Sequence, residues 1–463
     1  MENFCYDIAV VGGGPGGYSA AVKAAQLGAK VILFEKKQLG GTCLNVGCIP
    51  TKSLLEQAAL VEKIRKNTLS GIFKDAGLYS WKKIQQHKDQ TVKTLTGGVG
   101  SILASYGVTV IKGEAAVNRP DCVQVGGTCY SAKKLILATG SKVLIPPIPG
   151  ADGKDVITST QALSLPKVPK HLIVIGGGVI GQEFASIYRT FGSQITVIEM
   201  MDDIVMGEDR EMIAYLKKEL KKREIRLLTG TKVEKISDRG GRKAVTCTKG
   251  DGSREEIEGD CVLLAAGRLP NTEGIALEGL ERDRRGNIVV NEFLETSVPN
   301  VYAVGDAAGG FQLAHAAYAE AEAAAQNCMG GHVKVDTKGM PRCIFCIPQY
   351  AAVGQTEEQL KAQGTAYEKS LYPYVMNGKA LASDEAGGMA KVLVAAEGKT
   401  ILGVHIVGGY ATELLSSAIV GVTQGMTVDD FERIIMPHPT MSELVREAVL
   451  DAEKRAIHKP KAK

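Results

Sequence analysis

Residues 7–35 read DIAVVGGGPGGYSAAVKAAQLGAKVILFE. An apolar run enters G-x-G-x-x-G, a helical segment follows, and a second apolar run ends in Glu35. Residues 171–199, HLIVIGGGVIGQEFASIYRTFGSQITVIE, repeat the plan, with Gly176 as far from Glu199 as Gly12 is from Glu35. Each part has a physical task. Gly12 and Gly176 permit the tight turn out of the strand. Gly14 and Gly178 let the backbone approach a pyrophosphate, and Gly17 and Gly181 let helix and strand pack closely. The helix N-terminus offers free N–H groups and partial positive charge to phosphates. Glu35 and Glu199 are placed to accept hydrogen bonds from ribose hydroxyls. One such motif is weak evidence; two at one spacing predict two dinucleotide-binding units.

The second unit favours NAD over NADP. Glu199 is followed by Met200, Met201, Asp202 and Asp203, so a 2′-phosphate would meet carboxylates and no arginine. KKLILATGS (133–141) and DCVLLAAGRLPNT (260–272) each read as a strand closing one unit. NVYAVGDAAGGFQLAHAAYAEAEAAA (300–325) places Asp306 at a strand end before an Ala-rich helix; that suits either a cofactor's hydroxyls or an ordinary helix cap. From about residue 338 the pattern changes to strands (CIFCIPQYAAVG, AKVLVAAE, TILGVHIVG) followed by helices, an α+β arrangement.

A chain of 463 residues is too long for one core and predicts several domains. With no Gly/Ser-rich linker they should pack together. A net charge of +4 gives no reason to expect nucleic acid or an anionic membrane as partner. The basic tail from Lys454 reads as a solvated terminus. No run of about 18 apolar residues predicts a membrane span. MENFCYDIAVVGGG reads as a strand entering a loop rather than a secretory signal, so a cytoplasmic protein is expected.

Ten cysteines are dispersed along the chain. Cys5, Cys122, Cys129, Cys247, Cys261, Cys328, Cys343 and Cys346 read by default as small buried hydrophobes. Cys343 and Cys346 form a C-x-x-C, but in a strand, where residues three apart face opposite sides. Cys43 and Cys48, in GGTCLNVGCIPTK (40–52), are different. As a staple they would close a short loop with little entropic effect. As metal ligands they lack neighbours of the right type, and no metal is expected. A redox pair fits better. Five positions apart on a regular helix are badly out of phase, so the sulfurs meet only if the backbone is distorted, which Gly47 and Pro50 permit. Lys52 and a helix starting near residue 50 favour thiolate. Near the other end, MPHPTMSELVREA (436–448) locks His438 between prolines. Thr440 is placed to cap a helix from about Met441, and Glu443 lies within reach of the imidazole. A carboxylate-held histidine is the arrangement of a general acid–base.

Together these residues resemble the flavoprotein disulfide reductases, the class I pyridine nucleotide-disulfide oxidoreductases, from Asp7 to about Ala452. G-G-T-C-L-N-V-G-C-I-P-T-K with Leu54-Leu55 close behind looks like the dihydrolipoamide dehydrogenase branch. Glutathione reductases tend to have Val at Leu44 and Lys at Thr51; mercuric reductases end in a cysteine pair, where this chain reads HKPKAK. The resemblance implies an α/β fold: an FAD-binding domain (1–147), an NAD-binding domain (148–270), a central domain completing the FAD site (271–337) and a C-terminal α+β dimerisation domain (338–463).

It also implies roles. Gly12, Gly14, Gly17, Glu35 and Ala115 would serve FAD, with Lys52 near the flavin paired to Glu183, and Asp306 and Ala314 completing the site. Gly176, Gly178, Gly181, Glu199, Val233 and Gly267 would serve NAD. Cys43 would face substrate and Cys48 the flavin, in a redox disulfide. His438 and Glu443 would serve the partner's site in a homodimer. The implied reaction is oxidation of dihydrolipoamide by NAD+. The lipoyl group would come from another protein, a lipoyl carrier or a 2-oxoacid dehydrogenase or glycine cleavage complex. A reductase of another small disulfide, or a non-catalytic flavin-bound subunit, are the alternatives. Two positions depart from the pattern: Met436-Pro437 replaces a His-Ala before His438, and Gln349 stands where Glu is common.

Overall fold

A mixed sheet, a parallel sheet and an antiparallel sheet organise the chain in the computed structural model, which describes residues 5–72, 74 and 79–461. Met1–Phe4 of the N-terminal reading, and Ala462 and Lys463 of the basic tail, lie outside the described residues.

In the first unit Tyr6–Val11 is central, parallel to Val31–Glu35 on one side and to Thr128–Leu137 on the other. Its Ile8, Ala9 and Val10 are wholly buried, as expected of a strand covered on both faces. The long strand Thr128–Leu137 has two partners on its far side. Its first half pairs antiparallel with Cys122–Val125; its last residues pair parallel with Val301–Ala303. A strand from far along the chain thus carries Asp306 to the end of the first sheet. The second unit has five parallel strands, ordered Ile225–Leu228, Gln194–Ile198, His171–Ile175, Cys261–Leu264, Val156–Thr158. A three-stranded antiparallel ribbon (Thr231–Arg239, Arg242–Lys249, Arg254–Gly259) precedes its closing strand.

The C-terminal unit is a five-stranded antiparallel sheet, ordered Arg342–Ile344, Gln349–Gly354, Ile401–Gly408, Gly388–Ala395, Tyr367–Pro373. Helices Ala411–Gln424 and Glu443–Asp451 cover it through Leu415, Ala418, Leu444 and Ala448. Gln349 has a structural task here. Its Oε1 accepts from the Thr412 N–H (3.2 Å) and hydroxyl (3.0 Å), filling the open first turn of the helix Ala411–Gln424. One continuous apolar cluster joins Leu54 of the first unit, Leu172 and Phe184 of the second, and Ile344, Tyr350 and Val407 of the third, so the units pack without linkers.

Three expectations need correction. Cys122 and Cys129 are not isolated hydrophobes: the hairpin brings their Cα atoms to 5.8 Å and they are disulfide-bonded. Cys5 is exposed. The last helix begins at Glu443 and not Met441, and the Thr440 hydroxyl does not cap it. That hydroxyl donates to Pro437 O (2.8 Å), while the Thr440 N–H donates to Glu443 (2.9 Å).

Candidate active site

The two fingerprints fold alike. Gly12 and Gly176 have φ of +106° and +114°, and a Cβ on either would lie 2.3 Å from a carbonyl oxygen, of Ala138 and Ala265 respectively. A Cβ on Gly17 would sit 1.8 Å from Gly12 O, and one on Gly181 2.0 Å from Gly176 O. The middle glycines are open: a Cβ on Gly178 meets nothing within 4 Å, and one on Gly14 only the Gly41 Cα at 3.6 Å. Crowding behind and space in front is the shape of a phosphate cradle. Glu35 accepts from the Gly13 (2.8 Å) and Lys37 (2.7 Å) N–H groups; Glu199 accepts from Gly177 (2.6 Å) and Met201 (2.8 Å). Beside Gly12 the Thr139 hydroxyl is buried with no partner among the described residues, a donor placed for a bound group. The residues present therefore fit two dinucleotides. Gly181→Ala is expected to raise KM for NADH at least ~10-fold with flavin content unchanged, because the added methyl displaces the turn holding the pyrophosphate. Steady-state kinetics checks this.

Other positions expected at the cofactor sites fall around these cradles. Ala115 opens the strand Ala115–Arg119, two residues beyond Gly113, whose N–H donates to Glu35 O (3.0 Å). Asp306 lies in the short turn Gly305–Ala307 and accepts from the Ser141 hydroxyl. Ala314 is the first residue of the helix Ala314–Cys328. Val233 has a buried side chain, leaving its backbone as the available contact, and Gly267 has open space at its Cβ position.

Between the cradles lie the cysteines. The helix Gly41–Val46 ends at Gly47 (φ −142°, ψ −113°), and the helix Cys48–Leu69 starts immediately after it. The break lets sulfurs five positions apart meet, and it places Cys48 in the first turn of the second helix, where the helix dipole favours an anion. Both are thiols, joined by a hydrogen bond that Cys43 donates. That bond draws Cys48 down to about 7 against the opposing effect of burial, and the Lys52 charge helps; it pushes Cys43 well above the ordinary thiol range. Lys52 Nζ bonds both oxygens of the buried Glu183, at 2.8 and 3.0 Å, and lies 4.4 Å from the centre of the Phe345 ring. Glu183 also accepts from the Phe345 N–H (3.1 Å), so one ion pair ties all three units behind the cysteines.

Sequence reasoning missed two features. Arg268, next to Gly267, donates to Ser141 Oγ (2.7 Å) and O (2.9 Å) and to Thr42 (3.4 Å), bridging the two cofactor sites beside Cys43. No local motif marks it; only the pairing of Arg268–Pro270 with Ser141–Val143 brings it there. Tyr18 and Tyr318 share a hydroxyl hydrogen bond (2.8 Å) in the surroundings of Cys43, and burial raises both phenols. Tyr18 was legible only as part of the helix after the fingerprint. Cys343 and Cys346 pack into different apolar clusters, and burial pushes them up to about 11 and about 12.

His438 and Glu443 meet as expected, Nδ1 to Oε1 at 3.0 Å. Burial opposes ionisation of Glu443, but the Thr440 N–H and the His438 ring hold its carboxyl below the usual range. The His438 side chain is 80% exposed on the C-terminal unit, which leaves its Nε2 open to a substrate or a partner.

Two dinucleotide cradles flanking a dithiol define a flavin- and nicotinamide-dependent disulfide oxidoreductase. The chain matches the family model described as pyridine nucleotide-disulphide oxidoreductase over residues 6–321, and that family's dimerisation domain over 340–449. It belongs to the pyridine nucleotide-disulphide oxidoreductase family; FAD and NAD are its cofactors and its working unit is a homodimer. It is 42% identical over 460 residues to a dihydrolipoyl dehydrogenase of Thermus scotoductus (98% of each chain). It is 38% identical to one of Bacillus subtilis (97% of this chain, 99% of the other). Among solved structures, LpdA from Mycobacterium tuberculosis superposes with a TM-score of 0.88 at 26% identity, covering 96% and 99% of the two chains. The HOCl-induced flavoprotein disulfide reductase RclA from Escherichia coli gives 0.86 at 27%, with the same coverage.

Proposed function

We propose that this protein oxidises a dihydrolipoyl group carried on a partner protein and passes the electrons to NAD+, as a dihydrolipoyl dehydrogenase. The observation that carries this is the cysteine pair at the helix break, with the Lys52–Glu183 ion pair behind it. One substrate thiol gives its proton to His438 and attacks Cys43 of the oxidised pair. The substrate–Cys43 bond forms, the Cys43–Cys48 bond breaks, and the electron pair stays on Cys48. The second substrate thiol then attacks the substrate sulfur in the mixed disulfide and passes its proton to Cys43. The lipoyl disulfide leaves and Cys43 departs as the thiol, so His438 and Cys43 hold the two substrate protons. Gly12, Gly14, Gly17 and Glu35 would hold FAD, which would supply the two-electron relay from Cys48 to a nicotinamide held at Gly176, Gly178 and Gly181. Lys52, held by Glu183, keeps positive charge beside Cys48 throughout.

His438 is read as acting across the dimer interface. Its exposure supports this, as do the exposed apolar side chains Tyr410, Val420 and Ile435 of the same unit, which a partner would cover. The lipoyl group is read as arriving on a carrier or a 2-oxoacid dehydrogenase or glycine cleavage complex. Among the described residues no helix is long and apolar enough to cross a membrane. The test sets NADH with lipoamide against NADPH with glutathione disulfide. The first pair is expected to turn over at least ~100-fold faster, since a site shaped for one dithiol and lacking a 2′-phosphate partner rejects the other; preference for the second would overturn the reading.

A further inference from the structure

Glu199 is joined to the C-terminal sheet by an unbroken set of contacts. The loop after it, residues 200–207, lies on the second fingerprint. Gly177 donates its N–H to Glu199 (2.6 Å) and accepts from the Val205 N–H (3.2 Å); a Cβ on Gly177 would meet Ile204 at 3.1 Å. Val205 has a φ of +46°, a conformation that costs a β-branched residue energy and persists only where its surroundings impose it.

The loop ends at Glu208 and Asp209, and both carboxylates are taken up by the C-terminal unit. Glu208 accepts from Arg342 Nε (2.7 Å) and the Tyr350 hydroxyl (2.9 Å). Asp209, wholly buried, caps the helix Arg210–Lys222 through the Met212 N–H (3.2 Å). It also accepts from the Glu357 N–H (3.1 Å) and Lys391 Nζ (2.9 Å). Lys391 is 0% exposed and is shared with Glu357 and Glu211. Such buried charge contributes less net stability than its contacts suggest, because desolvation offsets attraction. What it supplies is direction: each carboxylate oxygen has a fixed partner on another unit.

We propose that Glu208 and Asp209 form a clamp by which the C-terminal unit holds the loop of the NAD ribose site, making Glu208, Arg342, Tyr350 and Lys391 positioning residues for NAD binding. The inference rests on reading Glu199 as the ribose-binding carboxylate. Slack at Glu208 frees Val205, then Gly177, then Glu199, while the cysteines, Lys52 and the first cradle stay in place. The test uses the full-length, flavin-loaded dimer with Glu208→Gln, Tyr350→Phe and, as benchmark, Glu199→Gln. Glu208→Gln is expected to raise KM for NADH about fivefold, with KM for lipoamide and kcat at saturating NADH within about twofold of the parent. Tyr350→Phe, which removes one hydroxyl and carries the test if the first variant does not fold, shifts KM for NADH the same way by less. If Glu199→Gln weakens NADH but both clamp variants keep the parental KM while losing thermal stability, the contacts are structural only and the clamp is overturned. If Glu199→Gln itself leaves KM unchanged, the ribose-site reading falls and the clamp with it.

Discussion

Cys48→Ser is expected to lower NADH–lipoamide turnover by roughly 10³-fold or more, the scale of loss when a nucleophilic centre is removed. A serine hydroxyl cannot form the disulfide with Cys43, and it does not ionise near neutral pH. The two cradles and the Lys52–Glu183 pair do not depend on that sulfur. Flavin content and NADH oxidation by an artificial acceptor that takes electrons directly from the flavin should therefore persist. Turnover with lipoamide in this variant would show that the pair is not the relay. The electrostatics add a pH signature. Cys48 is drawn down to about 7 from an ordinary thiol value of 9.0. Because the lowered form is the anion, the thiolate is present above about pH 7 and is lost as pH falls through it. In the reduced enzyme the ultraviolet thiolate absorbance should titrate near 7, and Cys43→Ala, which removes the hydrogen-bond donor, should move that titration upward.

His438→Ala is the second large effect, an expected loss of about 10²- to 10⁴-fold in kcat with lipoamide, the range for a positioned general acid–base. Glu443→Gln should cost less, about tenfold, since the imidazole remains but loses the carboxylate that orients it. Direct oxidation of NADH through the flavin should survive both. A mixed dimer of Cys48→Ser and His438→Ala chains separates the two geometries for the dyad. If His438 serves the other subunit, one site of the two is intact and activity returns to about half. If it serves its own, the mixed dimer is inactive.

The sequence carried much of this through local spacing. The repeat of Gly12-to-Glu35 in Gly176-to-Glu199 predicted two cradles because strand, turn and helix follow one another without interruption. Cys43, Cys48 and Lys52 lie on one short segment, and His438 and Glu443 on another. Contacts between distant segments stayed hidden. Arg268 reaches Ser141 and Thr42 only through a strand pair, and Tyr18 meets Tyr318 only because two helices pack. Likewise Cys122 and Cys129 looked solitary until a hairpin placed them side by side. Gln349 seemed an unexplained departure, and its task lies with Thr412 on a helix it could not announce.

The most direct measurement is alkylation of the cysteines, located by mass spectrometry, before and after anaerobic addition of dihydrolipoamide. Cys43 and Cys48 should be blocked in the oxidised enzyme and become labelled together on reduction, with Cys343 and Cys346 unchanged in both states. Labelling of Cys43 and Cys48 that does not depend on reduction would contradict a redox disulfide between them.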